Sequence, residues 1–166
     1  MKKRVDLPEK KYEGYIFDLD GTLVDSMPLH YRAWREALAR AGAPDHVFRA
    51  DEFYSCGGKS ANDVVRFLNE RYGMHMDAAS TAADKRRIYL EMLEKEGMQP
   101  IREVVEFVHS LGDAPKAIAT GSAMPGASRT LAAAGLSGLF DVILTPDEVE
   151  HGKPAPAMFL NAAELL

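Results

Sequence analysis

Three apolar residues, Tyr15 to Phe17, stand in a row, and carboxylates follow at Asp18 and Asp20. A short aromatic and β-branched run of this kind predicts a buried strand over 14–19. Further on the period lengthens. Leu29, Ala33, Trp34, Ala37, Leu38 and Ala41 recur three and four residues apart, the spacing of one helix face, until Gly42 and Pro44 interrupt it. Ser26 is the expected cap of that helix, and Pro28 suits its first turn. A weaker helical pattern covers 47–54. Ser60-Ala61-Asn62-Asp63 is a capping-box pattern with Asp in place of Glu. It opens a helix that turns Val64, Phe67 and Leu68 inward and stops at Gly73. Asp77 to Glu96 is a longer helix, with Ile88/Met92 and Tyr89/Leu93 as pairs four apart.

Beyond Pro100 helices and strands alternate. Ile101, Val104, Val105, Val108 and Leu111 mark an amphipathic helix closed by Gly112. Lys116 to Thr120 is a short strand, Pro125 to Ala134 a helix stopped by Gly135, and Phe140 to Leu144 another strand. Lys153-Pro154-Ala155-Pro156 precedes a last helix that runs to Leu166. This alternation predicts βαβ units and a parallel sheet, hence an α/β fold. The uninterrupted helical block between the first two strands predicts an inserted cap over 27–97, with the core formed by 14–26 and 98–166. Residues 1–13 are polar and read as a loose lead-in.

The totals narrow the function classes. The chain has 166 residues, enough for one well-buried domain or a core with an insert, and 46% hydrophobic with 27% charged residues is ordinary for a globular protein. A net charge of −5 argues against nucleic acid as the main partner. No apolar run approaches membrane-spanning length. The basic start, Met1 to Arg4, leads into Asp6-Leu7-Pro8-Glu9 and not into the apolar stretch of a signal peptide. Cys56 is the single cysteine, which excludes an intramolecular disulfide and suits a reducing compartment, so a cytoplasmic protein is expected.

The chemistry gathers at strand ends. Asp18 stands where the first strand should stop, and Gly21 permits a sharp turn there. Ligands of open α/β sheets collect at the carboxyl ends of strands. A carboxylate there can attack phosphorus, and a second acid nearby can protonate a leaving alcohol and later activate water. Two carboxylates facing a phosphate dianion require a cation, most simply Mg²⁺. Thr120-Gly121-Ser122, between a strand and a helix, offers hydroxyls and amides to a phosphate. Lys153 sits before Pro154 and Pro156, which hold its backbone extended.

The order strand-D-x-D-G-T, strand-T-G-S, G-K-P-x-P resembles the first three motifs of the haloacid dehalogenase (HAD) superfamily. The resemblance implies a HAD-like Rossmannoid parallel sheet with an inserted all-helical cap. It implies Asp18 as nucleophile, Asp20 as acid/base, Thr120 as phosphoryl ligand with Gly121 and Ser122 beside it, and Lys153 offsetting charge at the nucleophile. Mg²⁺ would be held by Asp18 and Asp20, the latter through its backbone carbonyl. The helical insert resembles the β-phosphoglucomutase-like branch, with Asp25-Ser26, His30 and Trp34 as D-S-x-x-x-H-x-x-x-W. That branch acts on small phosphorylated sugars. His30 then bridges cap and core near the site, or is an ordinary interdomain hydrogen-bonding histidine. Cys56-Gly57-Gly58-Lys59-Ser60 resembles the loop through which such caps read substrate, with Lys59 for an anion or sugar hydroxyls; the alternative is a plain glycine-rich turn.

Other readings fail. Gly58-Lys59-Ser60 lacks the first glycine of a P-loop, which would fall at Phe53. Cys56 has no nearby histidine, and His46, His75, His109 and His151 share no metal-ligand spacing. Two departures from the family are visible. Ala157 stands where Asp often follows K-P-x-P. The family's fourth motif, an acidic metal-binding segment, lies beyond the third, and the chain stops at Leu166 ahead of it. The resemblance thus covers 14–166. The expectation is a core incomplete at its C-terminus, weak Mg²⁺ binding, poor turnover by the chain alone, and self-association through an uncovered sheet edge at Tyr15–Phe17. The expected activity is a Mg²⁺-dependent phosphatase of small phosphorylated metabolites, sugar phosphates foremost, through an aspartyl-phosphate. The alternatives are a sugar-phosphate mutase, a phosphoacceptor-type module or an inactive binding fragment.

Overall fold

The computed structural model describes residues 11–166, so the lead-in expected over 1–13 lies, but for its last three residues, outside them. Three strands, β1 (Tyr15–Phe17), β2 (Lys116–Ala119) and β3 (Val142–Leu144), pair in parallel in the order β1-β2-β3. β2 is buried along its whole length, as the middle strand of a covered parallel sheet should be. β1 is shorter than the strand expected over 14–19, because the chain turns at once: the Leu19 carbonyl accepts the amides of Leu23 and Val24. That turn swings the chain off the sheet directly after Asp18.

Between β1 and β2 lie α1 (Met27–Arg40), α2 (Ala50–Ser55), α3 (Ala61–Tyr72), α4 (Ala78–Glu96) and α5 (Arg102–Ser110). α6 (Met124–Ala133) joins β2 to β3, and α7 (Ala157–Leu165) follows a single 3₁₀ turn at Pro146–Glu148 that the sequence reading missed. This turn has its own capping box, with Thr145 and Glu148 bonding each other's ends. α7 packs across all three strands.

Apolar side chains form two main groups. One centres on Phe17, Leu19, Leu23 and Ile118 and takes in the inner faces of α1, α4 and α6. The other gathers Trp34, Leu38, Val47, Phe48, Phe53, Val65 and Leu68 from α1, α2, α3 and the segment between. α1 and α4 pack along each other. Among the described residues no helix is long and apolar enough to cross a membrane.

Local signals mostly act as expected. Ser60 caps α3 by accepting the Asp63 amide at 3.2 Å, and Asp77 caps α4 by accepting the Ser80 amide at 2.7 Å. Ser26 does not. It precedes α1 in helical backbone (φ −88°, ψ −14°) and makes no side-chain cap bond; its hydroxyl instead donates to Asp20 Oδ1 at 2.6 Å.

Candidate active site

Parallel register brings the residues after each strand to one edge of the sheet. Phe17 pairs with Ile118 and Ala119 with Leu144, so Asp18, Thr120 and Thr145 leave the sheet on the same side. Over this edge sits a cavity of about 350 Å³. Its core wall includes Asp18, Asp20, Ser122, Asp147 and Lys153, and its helical wall includes His30, Trp34, Phe48, Lys59, Asn62, Lys85 and Arg86. The size suits one small polar metabolite.

Lys153 reaches back 135 positions in sequence to donate from Nζ to Asp18 Oδ1 at 2.8 Å. Its ammonium also lies 5.0 Å from the centre of the Phe159 ring. The other Asp18 oxygen is left for a cation or an electrophile. Asp20 is more fully engaged. Its Oδ1 accepts from Ser26 and from His30 Nε2 at 2.9 Å, and its Oδ2 accepts the Ser122 hydroxyl at 2.6 Å. Burial works against the Asp20 charge, but His30 and the hydroxyls of Ser122 and Ser26 outweigh it, so the carboxyl sits well below its usual range.

His30 has a second partner, the Lys85 ammonium, 2.8 Å from Nδ1. An ammonium can only donate. Nδ1 is therefore the acceptor, and the ring proton is on Nε2, aimed at Asp20. Burial first, then the neighbouring Lys85 charge, holds His30 neutral against the pull of Asp20. Burial also brings Lys85 down to about 8, with Asp20 opposing and Arg86 assisting. Lys85, His30 and Asp20 thus form one continuous hydrogen-bonded line.

Of the residues singled out from sequence, Asp18, Asp20, His30, Lys59, Gly121, Ser122 and Lys153 all border the cavity. Thr120 does not. It is fully buried, and its Oγ1 accepts the Ser122 amide at 3.1 Å, bracing the turn that presents Gly121 and Ser122. Lys59 rests over the Phe67 ring, 4.7 Å from its centre. Lys85, Asn62, Arg86 and Asp147 were missed. Lys85 could have been found only as a lysine facing inward on an otherwise apolar helix stripe.

The helical wall touches the core through glycines. A methyl group built on Gly121 would meet the Gly58 carbonyl oxygen at 2.5 Å, far inside contact distance. Gly58 itself stands at φ 83° with the Lys153 side chain against it. Gly121→Ala is therefore expected to push the 57–59 loop off the core. Hydrogen exchange at the Gly58 to Ser60 amides should quicken while β2 stays protected; unchanged exchange would mean the loop is not held by this approach.

Known proteins share this arrangement of sequence and fold. The family profile of haloacid dehalogenase-like hydrolases matches residues 12–166. The fructose-1-phosphate phosphatase YqaB of Escherichia coli is 33% identical over 156 residues, covering 93% of this chain and 80% of that protein. A β-phosphoglucomutase of Mycobacterium tuberculosis is 32% identical over 186 residues, covering 96% and 71%. Among solved structures, a hydrolase from Pseudomonas syringae superposes with a TM-score of 0.79 at 30% identity, covering 91% of this chain and 69% of that one.

Proposed function

The chain belongs to the haloacid dehalogenase-like hydrolases, and from that premise we propose that it is a phosphatase of small phosphorylated carbohydrates working through Asp18. The observation that carries this reading is the pairing of Asp18 with Lys153 at the mouth of β1, beside an ionised Asp20. The sugar-phosphate relatives support the substrate class. Residues 27–97 act as the cap that closes over a core made of 14–26 and 98–166.

An Asp18 oxygen attacks phosphorus and the bond from phosphorus to the sugar oxygen breaks. The departing alkoxide needs a proton. Asp20 rests ionised, so it must first receive one, and the line from Lys85 through His30 leads to its Oδ1. In the second half, water attacks the aspartyl-phosphate, Asp20 takes the water proton, and the Asp18–phosphorus bond breaks to release phosphate. Ser122 and the Gly121 turn, at the start of α6, suit the phosphoryl oxygens.

Magnesium fits this donor set in a limited way. No group of three or more His, Cys, Asp or Glu side chains among the described residues could hold a metal ion. Both Asp20 carboxylate oxygens are occupied by protein donors, which leaves its backbone carbonyl and Asp18 as ligands. Mg²⁺ accepts one or two protein oxygens completed by water and substrate phosphate. Bound there, it would offset the charge that Asp18 and the phosphate place together.

The test is phosphate release from a panel of ketose, aldose and polyol monophosphates, with and without chelator. Turnover of at least one such ester, lost with EDTA and restored by Mg²⁺, is expected. Turnover indifferent to chelation, or restricted to compounds without a phosphoryl group, would overturn the reading. A mutase shares the first half-reaction but returns the phosphoryl group to sugar. Conversion of hexose 1-phosphate to hexose 6-phosphate without phosphate release would identify it.

A further inference from the structure

Tyr89 has no part in the chemistry above, yet it is fully buried against it. The ring of Tyr89 lies flat on the imidazole of His30, with centroids 4.0 Å apart and planes inclined by 9°. Its hydroxyl pairs with the buried Thr130 hydroxyl of α6 at 2.7 Å, in either donor sense. α6 is the helix that follows Gly121 and Ser122. Lys85 and Tyr89 are four apart on α4, so one face of that helix meets His30 twice. Lys85 meets the ring edge at Nδ1, and Tyr89 covers the ring face.

We infer that Tyr89 is a positioning residue. It fixes the plane in which His30 turns Nε2–H to Asp20, and through Thr130 it ties that plane to the helix carrying the phosphate-side turn. The physical argument is rotational. Two hydrogen bonds at opposite ring nitrogens leave an imidazole free to rock about the line joining them. A parallel ring held at stacking distance removes that freedom. The phenol in turn would slide on α1 and α4 were its hydroxyl not anchored, since a buried hydroxyl settles where it finds a partner.

This inference rests on the proposed phosphatase chemistry, and its test separates the two. Tyr89→Leu removes the ring; Tyr89→Phe keeps it and loses only the Thr130 bond. In single-turnover phosphorylation by a sugar phosphate, whose alkoxide needs protonation, Tyr89→Leu should slow the step by ~10–10²-fold, within reach of a misaligned proton donor. Phosphorylation by p-nitrophenyl phosphate, a good leaving group, should change far less. KM should move little, and Tyr89→Phe, which keeps the stacked ring but not its anchor, should recover only part of the loss. In a His30→Ala background Tyr89→Leu should add almost nothing.

Equal losses for both leaving groups, or losses that add in the double variant, would overturn the inference while leaving the phosphatase reading intact. If neither ester is turned over by the unsubstituted protein, the phosphatase reading itself falls. Should Tyr89→Leu fail to fold, Thr130→Val, which takes the anchor from the Tyr89 hydroxyl, decides on the same two esters. A loss confined to the sugar phosphate is expected, and no loss, or an equal loss for both esters, would overturn the inference.

Discussion

Asp18→Asn is expected to lose ~10⁴–10⁶-fold in kcat, the range that follows removal of the nucleophile from a covalent mechanism. The amide nearly preserves shape, and its oxygen can still accept the Lys153 ammonium found 2.8 Å away. Folding should therefore change little; this pair is partly open to solvent, where such ion pairs contribute about 0–1 kcal/mol. What disappears is the charged oxygen that bonds to phosphorus. Rapid acid quench with ³²P-labelled substrate should trap a hydroxylamine-labile acyl-phosphate on Asp18 in the unsubstituted protein and none in the variant. Label mapped to another residue, or undiminished turnover in Asp18→Asn, would remove Asp18 from the role.

Asp20→Asn should cost ~10²–10⁴ in turnover, the usual contribution of a positioned acid or base. The loss should be steeper for alkyl phosphates than for aryl phosphates, because only the former depend on a proton reaching the departing oxygen. The amide also cannot satisfy three donors. Ser26, His30 and Ser122 all point hydrogens at this carboxylate, and an amide nitrogen would confront at least one of them with a second donor.

Stability offers an independent reading of Asp20. Its pKa is depressed by folding, so it contributes stability that is fully present above the unfolded value of about 4 and is lost as pH falls toward the folded one. The gap in unfolding free energy between the unsubstituted protein and Asp20→Asn should therefore close as the pH drops below about 4. Urea titrations at pH 3 and pH 6 would measure it, and a gap that is constant or widens at low pH would contradict the assigned environment.

Much of this molecule follows from local rules alone. The carboxylates after Phe17 stand at a strand end because an aromatic, β-branched run favours extended chain and Gly21 lets it turn, although Tyr15 and Ile16 are only half-buried on β1. Glycines and prolines bound most of the helices within a residue or two, since conformational freedom and missing donors act locally. Likewise Asp18, Ser122 and Lys153, far apart in sequence, needed only parallel strand order to meet at one edge. Tertiary structure alone decided the partners of each polar group. Ser26 read as a helix cap, but it sits in helical backbone and its hydroxyl donates to Asp20. Thr120 read as a phosphate ligand; the fold adds that it is buried and that its hydroxyl accepts the Ser122 amide, bracing that turn. Lys85 and Tyr89 were invisible as site residues because a helical period reports which face is inward, not what waits there. Hydrogen bonds and ring contacts depend on distances across 41 and 55 positions of chain, which no local pattern encodes.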